Sequence, residues 1–439
     1  MLRVRPLGSP RDRALPGQEK RGVALLMALI MVVLMTAYIS EFNYTSRTRI
    51  LSAAHARDDM RAQYLATSGV RVYTLLLAFG NMIGSNQFMQ GMMTNLGLPP
   101  IDGATMICSD LPGFDTAFLR FLIGSEGMAS DEQEEGMLDI LGLGEGASEA
   151  PQRGEVNAIG SGSSQPSLRR AMFDFEGDFK VECSDETAKI DLNGLAEPAF
   201  FTLPLQHHPI ALMLYGQMAP EEYDPLFEER LKIDRWELIA NIKDYIDGDT
   251  VRSHTFGGDE ERPYDNFEPR YEPKDKLFDT VQESRMVAGV TDEVFGTFAE
   301  GWSVKNRTYQ VNVNTAEPGV LWAVVRALTD PSLVSPQMID ARMAIMSIER
   351  QIMPFRDKND FENRIANGLP AGLGNGAQVD PLALHPDQSV RDRVKNLIKT
   401  KSNTFRLTST GYYGDSARIM DVTVRMRRDK PRYLDWRER

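Results

Sequence analysis

Carboxylates crowd one short stretch of this chain: Asp244-Tyr245-Ile246-Asp247-Gly248-Asp249, then Asp259, Glu260, Glu261 and Asp265 beside a Gly257-Gly258 turn. Hard cations such as calcium take about six to eight oxygen ligands, and loop carboxylates at close spacing supply them. The run is not an EF-hand, because neither Asp247 nor Asp249 starts a loop with glycine and the closing glutamate in register. The plain alternative is a helix ended by Asp247-Gly248 with its acids in water. The pair His207-His208 has no cysteine nearby and no H-E-x-x-H pattern, so it reads as a loop or surface feature and not as a zinc site. Nucleophile elbows, P-loops and dinucleotide glycine fingerprints are absent. No enzymatic role is expected, a tethered periplasmic hydrolase being the weak alternative.

A second stretch bears on processing and membranes. Lys20 and Arg21 precede Gly22, and no charge follows from Gly22 through Ser40. As a helix that run is about 28 Å long, against a hydrocarbon core of about 30 Å. A cleaved secretory signal fits poorly, since Tyr38, Ile39, Ser40, Glu41 and Phe42 follow where a small-residue cleavage site belongs. An ordinary anchor fits better. Basic residues lie before the span and none follows until Arg47, which keeps the N-terminus cytoplasmic and the bulk outside.

The chain has 439 residues, room for two or three domains, and 42% apolar composition is enough for a real core. A net charge of −13 argues against nucleic acid as the main partner. Cys108 and Cys183 permit one bridge in an oxidising compartment and exclude a disulfide framework.

The elements that must carry these residues follow from periodicity. Residues 1–22 lack it and read as a disordered leader. Helical spacing of Ala53, Ala56, Met60 and Tyr64, then of Leu65, Gly69, Val72, Leu76 and Phe79, extends the apolar run into one helix over 23–80. Residues 81–170, rich in Gly, Met and Ser, read as a loose insertion with short helices near 114–123 and 132–141. Alternation marks strands within 171–195, bent at Glu176-Gly177-Asp178. Ile190-Asp191-Leu192-Asn193 and Val311-Asn312-Val313-Asn314 share one pattern, a strand running into a capped turn. In the second copy Asn314 or Thr315 is expected to cap a helix from Ala316, with Pro318 in its first turn. Between lies a helical block, 196–400, with helices expected at 234–246, 279–286, 292–298, 321–328, 335–351 and 358–367. Residues 401–428 form a closing hairpin around Gly414-Asp415, and 429–439 a tail. The fold class is α+β.

Lys20-Arg21-Gly22-Val23 with the span behind it resembles the processing site of type IV prepilins and pseudopilins. With Lys189-Ile190-Asp191-Leu192-Asn193, Asp244-Tyr245-Ile246-Asp247-Gly248-Asp249, Phe278-Asp279-Thr280-Val281-Gln282-Glu283 and Val311-Asn312-Val313-Asn314-Thr315-Ala316 in this order, the chain from about Arg21 to Arg428 resembles the minor pseudopilins called protein K of the type II secretion pathway. The resemblance implies a transmembrane and spine helix, a small pilin-like antiparallel sheet and a large inserted α-helical domain of SAM-like or helix-hairpin-helix-like type. It implies cleavage by the prepilin peptidase between Gly22 and Val23, N-methylation, a place in the bacterial inner membrane with the bulk in the periplasm, and a role at the tip of a pseudopilus. Its partners would be other minor pseudopilins and the major pseudopilin. Calcium is implied in the helical domain, with Asp247, Asp249, Glu260 and Asp265 as ligands. Prepilins usually carry glutamate five residues after the cut, where this chain has Met27, a departure shared by the protein K branch. A carboxylate there pairs with a neighbour's amine inside the membrane, and a first subunit needs no such partner. The segment from Val311 also resembles the start of helix-hairpin-helix DNA-binding modules, but Thr329-Asp330-Pro331 stands where their glycine hairpin would be.

Overall fold

The structure is a computed structural model that describes residues 18–86, 91, 102–110, 113–119, 176–253, 259–265, 267–368, 381–427 and 430–439. Helix α1 runs unbroken over Gln18–Ser85, 68 residues without proline. Its first part is apolar on every side and exposed, and from Ala62 onward one stripe is buried: Ala62, Leu65, Ala66, Val70, Tyr73 and Leu77. The change from all-round to one-sided hydrophobicity marks where the helix meets the rest of the protein.

That stripe lies on a five-stranded antiparallel sheet. In chain order the strands are β1 (Gly113–Asp115), β2 (Asp178–Asp185), β7 (Thr404–Tyr413), β8 (Ser416–Arg427) and β9 (Lys430–Glu438), and they are neighbours in that order too. Phe405 and Leu407 of β7 and Met420, Val422, Val424 and Met426 of β8 alternate onto the α1 face, with Phe179 and Val181 of β2. Gly411 lets backbone touch backbone, since a Cβ there would strike the Ala62 carbonyl and the Ala66 nitrogen. At the flank Arg418 pairs with Asp59, and Gln63 Nε2 donates to Glu438 Oε2 at 2.7 Å.

Several expectations need correcting here. The tail is strand β9, paired along β8 with a bulge between Thr423 and Val424. The insertion contributes helix α2 (Gly103–Asp110) and β1, so Phe114 lies in a strand, and of the helix expected near 114–123 residues 116–119 are helical. Residues 132–141 lie outside the described set. Cys108 and Cys183 form a disulfide with Cα atoms 5.3 Å apart, tying α2 to β2.

The chain leaves the sheet after Asp185 and returns at Thr404, and everything between builds a second core, the head. Its helices are α3 (Pro209–Met218), α4 (Arg235–Asp244), α5 (Asp292–Phe298), α6 (Pro318–Leu328), α7 (Pro336–Ile352), α8 (Lys358–Asn367) and α9 (Gln388–Asn396). Residues 281–286 are a 3-10 helix with a Thr280/Glu283 capping box. Helix α3 crosses α6 where Gly216 meets the Ala323 backbone. Two parallel strand pairs stitch the head, β3 (Ile190–Asp191) with β4 (Trp302–Ser303) and β5 (Val311–Asn312) with β6 (Ile398–Lys399). These are the two sequence copies. In each, the first polar side chain caps the turn: Asp191 Oδ1 accepts from Asn193 N and Asn312 Oδ1 from Asn314 N, both at 3.0 Å. The asparagine that follows pins distant chain with its whole amide. Asn193 holds Phe278 N and O and Val304 O, and Asn314 holds Phe355 N and O and Thr400 O. Asn314 therefore does not cap α6, which begins at Pro318 behind Glu317.

Candidate metal centre and assembly surface

Asp234 Oδ2 accepts from Trp236 N at 3.0 Å and starts α4, whose Leu238, Ile239 and Ile242 enter the head core. The helix ends at Asp244, so Asp244 and Asp247 stand one turn apart on the same side. A bridge between Val251 and Asp259 closes the following loop and returns Glu260 to them. Ligand atoms of Asp244, Asp247 and Glu260 all lie within 4.8 Å of one another, and all three residues are buried.

Their hydrogen bonding is uneven. Asp244 accepts from Ser253 N with both oxygens, at 3.0 and 3.2 Å. Among the described residues neither oxygen of Asp247 has a hydrogen-bond donor, and neither does Glu260 Oε1. Lys243 Nζ stands 3.5 Å from Asp247 Oδ2 and donates instead to Ser253 Oγ at 2.8 Å. Burial, then the charges of Asp247, Asp244 and Asp249, push Glu260 up to about 9. Burial pushes Asp247 to about 7, with Lys243 opposing and Asp244 and Asp249 adding to the rise. Without a cation Glu260 holds its proton at neutral pH and Asp247 is close to half protonated. The ligand atoms are all hard oxygens, three of them lack a hydrogen-bond donor among the described residues, and a divalent cation would supply the missing charge; the residues fit calcium.

Of the four expected ligands, Asp247 and Glu260 meet in this cluster. Asp249 is half-buried beside it and accepts from Val251 N at 2.7 Å. Asp265 is exposed and pairs with Arg270 at 3.1 Å, so it does not join them. Asp244 completes the cluster and was not among the expected ligands, although its helical offset from Asp247 is visible in the sequence. His208 is likewise not a surface residue: fully buried, it accepts from Ala211 N at 3.3 Å to cap α3, and burial drops it to about 4. After α6 the Asp330 carboxylate accepts from Ser332 N at 2.7 Å, placing negative charge where a DNA-binding hairpin would receive a phosphate.

The expected cut falls inside α1, with Gly22 and Val23 both exposed. Beyond the span, the outer face of α1 exposes Ile50, Leu51, Met60, Tyr64 and Leu75, interspersed with Arg57, Arg61 and Arg71.

An apolar helix long enough to cross a membrane, laid on an antiparallel sheet that carries a helical head, defines a single-pass anchored α+β protein with a soluble bulk. Residues 215–299, which hold the carboxylate cluster, match the family model described as type II secretion system, protein K. The match spans 85 of the 439 residues, all within the head. Among solved structures the chain is similar to one described as the crystal structure of the GspK-GspI-GspJ complex from the enterotoxigenic Escherichia coli type 2 secretion system. There it shows 18% identity and a TM-score of 0.41, covering 60% of this chain and 80% of that one. No curated protein matches the chain.

Proposed function

We propose that this protein is a minor pseudopilin of type II secretion, placed at the tip of a periplasmic pseudopilus and joined there to other minor pseudopilins. The observation that carries this is the protein K match falling on a head inserted between strands of a sheet that rides on a membrane-length helix. A head of this bulk blocks stacking of a further subunit above it, and the apolar residues exposed along α1 offer contacts for spine helices below. Release from the leader between Gly22 and Val23 by the prepilin peptidase, with methylation of the new amine, would precede assembly from the inner membrane onto the major pseudopilin. Its work is then assembly and not catalysis.

The test is purification of the full chain from the inner membrane of its own host. An N-terminus at Val23 and two small co-purifying proteins with membrane-length N-terminal helices are expected. An intact leader in secreting cells, or purification alone, would overturn the reading.

Calcium belongs to the same proposal: Asp244, Asp247 and Glu260, with Asp249 near, would hold it. Bound there, it supplies charge that lets the buried acids ionise and ties the loop after α4 to the head.

A further inference from the structure

We infer that the Cys108–Cys183 disulfide latches a brace at the neck between sheet and head, and that reducing it loosens the neck while both cores stay folded. The chain crosses this neck twice, outward after Asp185 and back before Thr404. Asp185 joins the crossings. Its Oδ1 accepts from Thr187 N at 2.9 Å, and its Oδ2 accepts from Thr315 Oγ1 at 2.6 Å and from the Ser402 hydroxyl. Asn312 Nδ2 donates to that hydroxyl oxygen at 2.6 Å.

The Ser402 amide is held from elsewhere. It donates to Asp102 Oδ2 at 2.9 Å and to Thr105 Oγ1 at 3.2 Å, at the start of α2. Helix α2 belongs to neither crossing, yet it grips the returning one. Tyr73 Oη donates to the Ile107 carbonyl at 3.2 Å on the α1 side, and the disulfide fastens α2 to β2 two residues before Asp185. A cavity of about 240 Å³ lined by Cys108, Cys183, Asp185, Lys189, Thr315 and Glu317 opens onto the sulfurs between the two halves. A dithiol reaching it would break the S–S bond, passing two electrons and two protons to the cysteines and closing its own disulfide. Helix α2 is eight residues long, too short to persist by helix propensity alone. Without the latch its grip on Ser402 weakens.

Hydrogen exchange read by mass spectrometry on the full chain in detergent micelles tests this, with and without dithiothreitol. Reduction is expected to speed exchange in peptides spanning 400–404 at least tenfold and to leave β7, β8 and α6 protected. Asp102→Ala, with the disulfide intact, should reproduce the rise at Ser402. Unchanged neck protection on reduction overturns the inference, as does loss of protection across both cores, which would make the bond a general staple. Silence of Asp102→Ala overturns it too, because α2 would then not be what holds the return crossing.

Discussion

Two carboxylates in this molecule, the half-buried Asp185 and the buried Asp247, sit in opposite circumstances. Asp185 at the neck receives donors from Thr187, Thr315 and Ser402, and the nearby Lys399, which burial pulls down to about 8, is held up by Asp185 and Asp102. Asp247 in the head receives no hydrogen-bond donor among the described residues; Lys243 Nζ stands 3.5 Å away, and the Asp244 and Glu260 carboxylates face it. Burying a carboxylate is costly unless donors or opposite charge answer it. Donors from within the chain answer Asp185. Around Asp247 one lysine faces three clustered acids, and the rest of their charge is left to a proton or a cation; that difference separates a structural acid from a binding one.

The contrast breaks most visibly by removing each acid in turn. Asp185→Ala strands Thr315 and Ser402 at the neck and should cost about 3 kcal/mol, since hydrogen bonds to a charged group contribute about 1.5–3 kcal/mol. Asp247→Asn in calcium-free buffer should cost nothing or stabilise slightly. Urea unfolding of both variants checks the pair, and a large loss in Asp247→Asn without calcium would end the distinction.

Adding the cation narrows the gap. At a hundred times its dissociation constant, a ligand specific for the folded state adds about 2.7 kcal/mol. Calcium should therefore raise the melting temperature of the wild-type chain, chelation should remove the gain, and Asp247→Asn should show neither response. Equal calcium shifts in wild type and variant would move the site elsewhere.

Proton linkage gives a graded effect. Glu260 rises from an ordinary 4.5 to about 9, so the folded state binds the extra proton. Stability of the calcium-free protein is then fully present below pH 4.5 and is lost as pH climbs toward 9, by up to about 1.4 kcal/mol per unit. Calcium should flatten that slope. Denaturation midpoints at pH 6, 7 and 8 with and without calcium read it directly, and a calcium-free midpoint that rises with pH would contradict the assignment.

How far these features were legible in the sequence depends on the distance of their partners. Helix α1 was readable because nineteen uncharged residues and then a helical stripe are local facts. The hairpin of β7 and β8 was readable from its alternation around Gly414-Asp415. The turns at Asp191 and Asn312 were visible, while the pinning by Asn193 and Asn314 was not, because their partners lie 85 and 41 residues away or farther. Strand β9 hid behind Arg432, Asp435 and Arg437, charges suited to an edge strand, which advertises little hydrophobicity. Helix α2 and the burial of His208 depend on tertiary contacts, with no local pattern to announce them. In the carboxylate cluster, proximity in sequence identified the loop but could not rank its members, since Asp265 and Glu260 are five residues apart and only one faces inward.

That ranking yields the smallest prediction. Asp265 is exposed and its pairing with Arg270 is a surface ion pair, whose worth is typically about 0–1 kcal/mol. Arg270 also holds Glu261 at 2.9 Å, so it keeps a partner when Asp265 is lost. Asp265→Ala should therefore shift stability by less than about 0.5 kcal/mol and leave calcium affinity, measured by titration calorimetry, within a factor of about two. Asp244→Ala should lower that affinity at least tenfold. If the two variants changed places, the cation would sit outside α4 in the exposed loop, and the unpartnered oxygens of Asp247 would need another explanation.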